Sequence, residues 1–339
     1  MNLKDYGFMP DMETEYDRGI PARIVAVHRD RYAMVCEYGE IYGRLKTKEY
    51  YGGFEEFPTV GDFVRIDYVS DGDSRIIATL PRKTFFSRRH PDVGRGEQAV
   101  AANFDYVFLM QSMNRDFNAK RLERYLTLTL QSGAVPVVVL TKADLVEEQE
   151  YYIRSVKKVA PDVKVHAVSS RTGAGLEELS EYLQPGKTVA LLGSSGIGKS
   201  SLVNALVGGE LMKVNGIRED DSKGRHTTTH RQLILLENHA MIIDTPGMRE
   251  LGMWDVSEGL GEAFADVEQY VGKCRFGNCR HLSEPGCAVK AAIAEGTLKQ
   301  ERWDSYCKLK QEARHSDGSK QRMRERQSQK KGFAKKRDR

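Results

Sequence analysis

The sequence predicts a multidomain chain with three folded parts: a small closed β-barrel, an α/β domain with a largely parallel sheet, and a helical domain. Three observations lead to this fold class. Short segments of strand character follow one another between residues 22 and 80, strands and helices alternate between about 100 and 255, and the strand pattern stops after 258. A chain of 339 residues can give each part a core of its own.

Changes in composition set the expected domain boundaries, and the chain ends in a basic tail. Residues 311–339 hold eleven Lys or Arg against four Asp or Glu, a net charge of +7, so residues 1–310 carry −3 of the total of +4. Such a tail binds polyanions, or it is a solvated, disordered end that only aids solubility. The expected parts are a leader at 1–20, the barrel at 21–82, the α/β domain at 83–255, the helical domain at 256–315 and the tail at 316–339.

The apolar segments are too short for a membrane protein. None approaches the roughly 20 residues that a membrane span requires, and the first residues lack the basic and apolar segments of a signal peptide. We therefore expect a cytoplasmic protein with no membrane partner. As a separate expectation, we take it to be a monomer.

Five short segments between Ala22 and Leu80 combine β-branched and aromatic residues with partial alternation and turn formers between them. Five strands in about sixty residues predict an OB-type barrel, whose open face commonly binds nucleic acid. A barrel that serves only for packing or spacing is the alternative. The segments are ARIVAVH, RYAMVCEY, GEIYGRLK, GDFVRIDYV and SRIIATL.

Residues 82–103 are basic and rich in turn formers, so we predict a linker there. Beyond it, apolar strand segments alternate with segments of helical spacing, such as the helices predicted at 119–133 and 175–183. This alternation is typical of parallel strands that are covered by helices on both faces.

The segment GSSGIGKS matches the phosphate-loop pattern G-x-x-x-x-G-K-[ST] and stands between a predicted strand and a predicted helix. Its glycines let successive backbone N–H groups face phosphate oxygens, and the helix N-terminus adds its dipole. Lys199 is expected to bridge the β- and γ-phosphates and Ser200 to bind Mg²⁺, but the motif does not choose between ATP and GTP. The predicted nucleotide contacts are Gly193, Ser194, Ser195, Gly196, Ile197, Gly198, Lys199, Ser200 and Ser201.

The segment MIIDTPG follows the phosphate loop with the Asp-x-x-Gly spacing of a GTPase switch II. Asp244 ends an apolar strand, where its carboxylate can hold Mg²⁺ through water, and the Gly247 N–H can contact the γ-phosphate. Between the two motifs lies SKGRHTTTH, whose threonines stand where a switch I hydroxyl binds Mg²⁺. We favour Thr228, and Thr227 and Thr229 stay as alternatives because the sequence cannot align three adjacent threonines.

The segment TKAD follows the apolar run VPVVVL and is close to the Asn-Lys-x-Asp motif that reads guanine. The Asp144 carboxylate can accept both N1–H and N2–H of guanine, a pair of donors that adenine lacks, and the Lys142 stem can lie over the base. Thr141 replaces Asn, so a hydroxyl must brace the loop or the bracing is lost. The later segment VSSRTG resembles the GTPase loop whose backbone N–H reaches guanine O6, and we call it the O6 loop. The predicted base-side residues are Thr141, Lys142, Ala143, Asp144, Ser169 and Ser170.

These motifs occur in the order guanine loop, O6 loop, phosphate loop, switch I, switch II, which is a circular permutation of the common GTPase order. A domain can be cut at an exposed loop and joined at its former ends without loss of its core, because termini often lie close together. The permutation makes switch II lead directly into the C-terminal domain, so a nucleotide-driven shift there can be passed to Cys274 and beyond.

Met248 stands where many GTPases carry the Gln that orients the attacking water, and a thioether cannot do this. We therefore predict slow intrinsic hydrolysis, with the missing polar group supplied by His226 or by a partner that orders the switches. A solvated loop histidine is the alternative for His226. The predicted catalytic residues are Lys199, His226, Thr228 and Gly247.

Cys274, Cys279, His281 and Cys287 have the spacing C-x4-C-x-H-x5-C. Three thiolates and one imidazole complete a tetrahedral shell with no open position, which predicts one structural Zn²⁺. Five cysteines in a chain of this size favour metal or core roles over a disulfide framework, and Cys36 is expected to be a buried apolar residue of a strand.

The barrel, the permuted motif order and the Cys-Cys-His-Cys cluster together resemble the ribosome small-subunit-dependent GTPase A family, also called RsgA or YjeQ. The resemblance extends from about Ala22 to Lys310, and its most specific marks are the permuted order, GRHTTT, DTPG and the cysteine-histidine spacing. It implies a GTPase that acts late in maturation of the small ribosomal subunit, is stimulated by that subunit, and leaves it after hydrolysis. It also implies that the barrel and the zinc domain contact ribosomal RNA.

Three other functions remain open. The first is a related permuted GTPase that acts on the large subunit, which the barrel and zinc domain argue against. The second is a phosphate-loop ATPase or kinase that works with nucleic acid. The third is a GTP-regulated RNA-binding adaptor with negligible turnover. Only a measurement of GTP hydrolysis can distinguish such an adaptor from an enzyme.

We predict that Asp144→Asn relaxes the preference for GDP over ADP, because an amide cannot accept both guanine N–H donors. The ratio of the two dissociation constants should change by about tenfold or more. Competition of GDP and of ADP against a fluorescent GDP analogue measures this ratio. An Asn variant that keeps the wild-type ratio would rule out Asp144 as the guanine reader.

Overall fold

The computed structural model describes residues 2–9, 12, 18–28, 31–45, 57–89, 97–209, 232–244 and 257–314. They fall into two compact units. The first contains the described parts of 1–89, 97–122 and 132–251, and the second contains those of 123–131 and 252–339. Within the described ranges, no helix is both long and apolar enough to cross a membrane.

Five strands near the N-terminus close into a barrel: β1 (Ile20–Val27), β2 (Tyr32–Cys36), β3 (Gly39–Leu45), β4 (Phe63–Asp67) and β5 (Ser74–Thr79). β1 pairs antiparallel with β2 and β4, β2 pairs with β3, β4 pairs with β5, and a parallel pair of β3 with β5 completes the circle. Alternate side chains fill the interior, including Ile24, Met34 and the predicted core residue Cys36, all fully buried. The predicted OB-type barrel is therefore confirmed.

Residues 82–103 contain a β-hairpin, so the prediction of a linker was wrong. β6 (Phe85–Arg89) and β7 (Glu97–Ala102) pair antiparallel. Phe86 and Val100 are buried, and the Phe86 ring stacks on Phe104 with 4.6 Å between ring centroids. The apolar residues of the hairpin bury one face, which outweighs the turn-rich composition on which the prediction was based.

Six further strands form the α/β part: β8 (Tyr106–Ser112), β9 (Val135–Thr141), β10 (Lys164–Ala167), β11 (Thr188–Leu192), β12 (Gln232–Leu235) and β13 (Met241–Asp244). They lie in the order β10-β9-β8-β11-β13-β12, in which only β12 is antiparallel to its neighbour. Residues 137–140 of β9 are all fully buried, as expected for a strand with both faces covered. The sheet continues into the barrel because β12 pairs with β1, where Gln232 lies opposite Ala26.

Helices follow three of these strands: α1 (Ala119–Gln131) after β8, α2 (Gln149–Lys157) after β9 and α3 (Lys199–Val207) after β11. The helix predicted at 175–183 is reduced to a 3₁₀ helix at Glu177–Glu181. Gly175 does not belong to this helix, because its φ of 72° is left-handed.

The second unit is helical and contains α4 (Ser257–Ala263), α5 (Ala265–Glu268), α6 (Ala288–Ala294) and a helix α7 at 300–314. Arg302 of α7 is buried in the core of the second unit. Its Nη1 donates to Glu123 Oε1 over 2.6 Å, its Nη2 donates to Asp266 Oδ1 over 2.9 Å, and the guanidinium lies 3.9 Å from the centre of the Phe264 ring. These partners compensate the loss of water around the buried charge.

A buried arginine connects the barrel to the parallel sheet within the first unit. Arg23 of β1 donates to the carbonyl oxygens of Tyr6, of Gly61 at 3.3 Å and of Asn103 at 2.9 Å, and to the Thr188 hydroxyl of β11 at 3.0 Å. Burial lowers the pKa of Arg23 to about 10, against the effect of nearby carboxylates. The side chain therefore remains charged at neutral pH and donates to three carbonyl groups and one hydroxyl from four segments of chain.

We predict that Arg23→Met lowers the free energy of unfolding by about 3 kcal/mol, because the buried carbonyl groups lose their donor. This corresponds to a fall of roughly 5–10 °C in the apparent unfolding temperature. Arg75→Met is the control, since Arg75 is an exposed arginine in the same barrel. Thermal unfolding of the full chain, followed by circular dichroism, compares the two, and equal shifts would contradict the proposed role of Arg23.

Candidate nucleotide site and metal cluster

The loops predicted to bind nucleotide leave the sheet at one edge. Leu192, at the end of β11, is in register with Leu109 of β8, and Thr141, at the end of β9, lies opposite Ser112. β13 runs parallel to β11 and ends at Asp244. The phosphate loop, the guanine loop and Asp244 thus share the carboxyl edge of the sheet, where open α/β sheets bind their ligands.

The phosphate loop has a backbone that can surround an anion. Gly196 and Gly198 have φ values of 77° and 101°, which residues with a side chain rarely adopt. α3 begins at Lys199, so the N–H groups of its first turn face the loop. The Lys199 Nζ donates to the carbonyl oxygens of Gly193 and Ser194 over 2.8 and 2.7 Å, so this side chain reaches across the loop.

The Thr141 hydroxyl braces the guanine loop against the phosphate loop. Its Oγ1 donates to the Ile197 carbonyl oxygen, and the Gln111 carbonyl oxygen is 3.3 Å away. Lys142, which has a φ of 61°, donates from Nζ to the Gly196 carbonyl oxygen over 2.8 Å. The sequence left open whether a hydroxyl could brace the loop in place of the usual Asn. In the structure, the Thr141 hydroxyl makes the bracing contact with the Ile197 carbonyl oxygen.

Asp144 is exposed, and Ser169 sets the orientation of its carboxylate. The Ser169 Oγ donates to Asp144 Oδ1 over 2.6 Å and accepts the backbone N–H groups of Arg171 and Thr172. Ala143 joins the same two loops, because its N–H donates to the Val168 carbonyl over 3.1 Å. The O6 loop and the guanine loop therefore meet, and Ser170 is half-buried in the same turn.

Asp244 is the buried carboxylate of the site. It is 4% exposed, and its Oδ1 has no hydrogen-bond partner among the described residues. Burial raises the pKa of Asp244, while the charge of Lys199 opposes the rise. A buried carboxylate oxygen without a donor is suited to a cation or its bound water, so the residues at this position fit Mg²⁺.

The remaining predicted residues divide into two sets. Ser195 lies at the exposed tip of the phosphate loop, and Ser200 and Ser201 are half-buried in the first turn of α3. His226, Thr227, Thr228, Thr229, Gly247 and Met248 lie outside the described residues.

Arg121 contacts the phosphate loop, although no motif includes it. Its Nη1 donates to the Ser194 Oγ over 2.8 Å. It occupies the first turn of α1, which has no acidic residue there. The helix dipole disfavours basic residues in this position, but Lys120 stands in the same turn, so no sequence signal singles out Arg121.

The four predicted metal ligands converge in the second unit. The Sγ atoms of Cys274 and Cys287 are 3.9 Å apart and lie 3.4 and 3.5 Å from His281 Nδ1. All four ligand atoms, including that of Cys279, lie within 4.8 Å of one another. Ligand atoms around a tetrahedral Zn²⁺ are about 3.5–3.8 Å apart, as follows from its bond lengths, so the cluster fits this ion.

Two residues outside the ligand set support the metal loop, and the spacing of the ligands did not reveal them. Glu284 accepts the backbone N–H groups of Arg280 at 2.9 Å, Leu282 at 2.9 Å and Ser283 at 3.0 Å. These bonds lower the pKa of Glu284 to about 2. The Trp303 ring packs edge-on against the His281 imidazole, with 5.2 Å between centroids.

We predict that Thr141→Ala weakens GDP binding by about tenfold, because the loss of a buried hydroxyl leaves the Ile197 carbonyl without its donor. Thr141→Ser is the control, since it keeps the hydroxyl and removes only a methyl group. Titration with a fluorescent GDP analogue measures both. If the two variants bind GDP equally well, the hydroxyl does not brace the loop.

Comparisons with known proteins agree with this geometry. The family model described as RsgA GTPase matches residues 79–254. A protein of Listeria monocytogenes named Small ribosomal subunit biogenesis GTPase RsgA 1 is 48% identical over 291 residues, 86% of this chain and 82% of the relative. A protein of Methanosarcina acetivorans named Small ribosomal subunit biogenesis GTPase RsgA is 45% identical over 256 residues, 75% of this chain and 69% of the relative.

Solved structures have the same fold. YjeQ from Thermotoga maritima superposes with a TM-score of 0.63 at 26% identity, covering 86% of this chain and 96% of that one. A structure titled as YloQ, a circularly permuted GTPase, has a TM-score of 0.60 at 24% identity, covering 89% of this chain and 98% of that one, and supports the fold alone. With the family match and the identity to its relatives, the chain belongs to the RsgA GTPase family.

Proposed function

We propose that this protein binds the small ribosomal subunit and assists its late maturation, with GTP hydrolysis stimulated by the subunit and coupled to release. The observation that carries the nucleotide part is the direct contact between the guanine loop and the phosphate loop through Thr141 and Ile197. The names of the relatives, which are small ribosomal subunit biogenesis GTPases, support the partner. A role on ribosomal subunits implies a cytoplasmic location.

Guanine selection is assigned to Asp144. With Ser169 bonded to one carboxylate oxygen, the group is oriented before the base arrives, so little side-chain entropy is lost on binding. The carboxylate then accepts guanine N1–H and N2–H, and the Lys142 stem covers the base. The Ser170 backbone is proposed to reach guanine O6.

Phosphate binding is assigned to the loop 193–200 and to Lys199. The Nζ of Lys199 leaves the carbonyl oxygens of Gly193 and Ser194 for the β- and γ-phosphates, because a phosphate oxygen is the stronger acceptor. Ser200, Asp244 and Thr228 are the proposed holders of Mg²⁺. The ion would neutralise charge on the phosphates.

The hydrolytic step needs a polar group that the residue after Gly247 does not provide. Met248 carries no donor that could orient water. His226 is proposed to supply this function when the subunit brings it into place, which would account for the proposed stimulation by the subunit. Gly247 is proposed to contact the γ-phosphate through its N–H.

RNA binding is assigned to the barrel and to the zinc-binding domain. The barrel carries exposed aromatic rings: Tyr38 and Tyr68 lie 4.4 Å apart between centroids, and the Arg31 guanidinium lies 4.0 Å from the centre of the Tyr42 ring. Exposed rings next to basic side chains suit stacking on unpaired bases. The structural Zn²⁺ proposed for the four-ligand cluster would hold the second RNA-binding part in shape.

Turnover measured with purified ribosomal subunits tests this function. GTP hydrolysis should be slow alone, unchanged by large subunits, and increased at least about tenfold by small subunits, because partner-ordered GTPase sites accelerate by more than this. Lys199→Ala is the control for contaminating GTPases and should show no stimulation. Full stimulation of His226→Ala would rule out the histidine, and absence of stimulation of the wild type would leave the adaptor function.

A further inference from the structure

Two cationic side chains contact Ser194 of the phosphate loop. Lys199 Nζ donates to the Ser194 carbonyl oxygen over 2.7 Å, and Arg121 Nη1 donates to the Ser194 hydroxyl over 2.8 Å. Arg121 lies 73 residues before Ser194 in the sequence, on the helix that follows β8. β8 is the neighbour of β11 in the sheet, so the permuted fold brings this side chain to the loop.

The position of Arg121 is fixed by the start of α1. Its own N–H donates to the Asn118 side chain over 3.0 Å, which caps the helix, and the Asn118 N–H is 3.3 Å from Gln111 Oε1 at the end of β8. The turn before the helix is closed by the Ser112 hydroxyl, which donates to Asn114 Oδ1 over 2.7 Å. These bonds hold the start of α1 in place, and the Arg121 guanidinium extends from there toward the phosphate loop.

The present partner of Arg121 is a weak one for a guanidinium. A hydroxyl is neutral, and hydrogen bonds from Arg to phosphate are roughly twice as strong as those between neutral groups. Within the part of the chain that the structure describes, no carboxylate pairs with Arg121. A phosphate oxygen within reach would therefore take this guanidinium from Ser194.

The contact with Ser194 places Arg121 at the end of the loop that receives the β- and γ-phosphates. Lys199, which bridges these phosphates in loops of this type, touches the same residue. The base end of the loop is marked by the contacts of Thr141 and Lys142 with Ile197 and Gly196. Arg121 takes no part in those contacts.

We propose that Arg121 is a ligand of the terminal phosphate. On GTP binding, its guanidinium exchanges the Ser194 hydroxyl for a γ-phosphate oxygen, so it stabilises bound GTP more than bound GDP. The inference rests on the proposed nucleotide site and deepens it by naming a residue that distinguishes triphosphate from diphosphate.

The affinities of Arg121→Gln for GDP and for the non-hydrolysable triphosphate GMPPNP test this proposal. The variant should bind GMPPNP about tenfold more weakly relative to GDP than the wild type does, because one charge-assisted hydrogen bond is lost. Arg121→Lys should keep part of the difference. Lys120→Gln is the matched control, since Lys120 is an exposed neighbour on α1 and its loss should leave the ratio unchanged.

Ser194→Ala separates a phosphate ligand from a mere support of the loop. If Arg121 acts only by holding Ser194, Arg121→Gln and Ser194→Ala should weaken both nucleotides alike, with an unchanged ratio, and the proposal is wrong. If it binds the terminal phosphate, Arg121→Gln weakens triphosphate binding relative to diphosphate binding, whereas Ser194→Ala, which removes only the competing acceptor, does not. Near-normal GDP binding by Arg121→Gln shows that the site is intact, whereas a wild type that binds neither nucleotide contradicts the proposed function itself.

Discussion

The nucleotide site depends on one constraint: parallel strands deliver their following loops to the same edge of the sheet. β9 and β11 are separated only by β8, so the loops after them are close enough for the Thr141 hydroxyl to reach the Ile197 carbonyl. This contact does not depend on which loop comes first in the chain. A circular permutation therefore preserves the site, because it changes the connections between strands and leaves their order in the sheet intact.

The barrel is attached to this sheet by both backbone and side chain. The pair of β12 with β1 continues the sheet, and Arg23 binds carbonyl oxygens from the N-terminal turn, the barrel and the segment before β8. A charged group removed from water is tolerated only where many acceptors surround it. The cost of burying Arg23 is thus offset by the same bonds that fix the barrel to the first unit. The barrel and the parallel sheet are thus joined by a backbone strand pair and by the hydrogen bonds of one side chain.

The charged side chains at the carboxyl edge of the sheet have weak hydrogen-bond partners. Lys199 and Arg121 both donate to Ser194, which offers them only neutral oxygens, while the Asp244 carboxylate is buried with an oxygen that lacks a donor. Each of these groups gains a stronger partner from phosphates and a divalent cation. The second unit differs, since its buried Arg302 is already paired with Glu123 and Asp266. Paired charge in the second unit stabilises a core, whereas the neutral partner of Arg121 and the Asp244 oxygen without a donor favour a ligand at the sheet edge.

The sequence by itself determined the barrel and the parallel sheet, and it predicted the phosphate and guanine loops and the cluster of three cysteines and one histidine, because each of these depends on local spacing of residue types. Tertiary structure alone decided the hairpin at 85–102, whose apolar face matters only once a surface covers it. Only the tertiary structure shows which hydrogen bonds the Thr141 and Ser169 hydroxyls make, because the acceptor of each bond lies on another loop. Arg121 is the clearest case: its partner is 73 residues away, and only strand order in the folded sheet brings the two together.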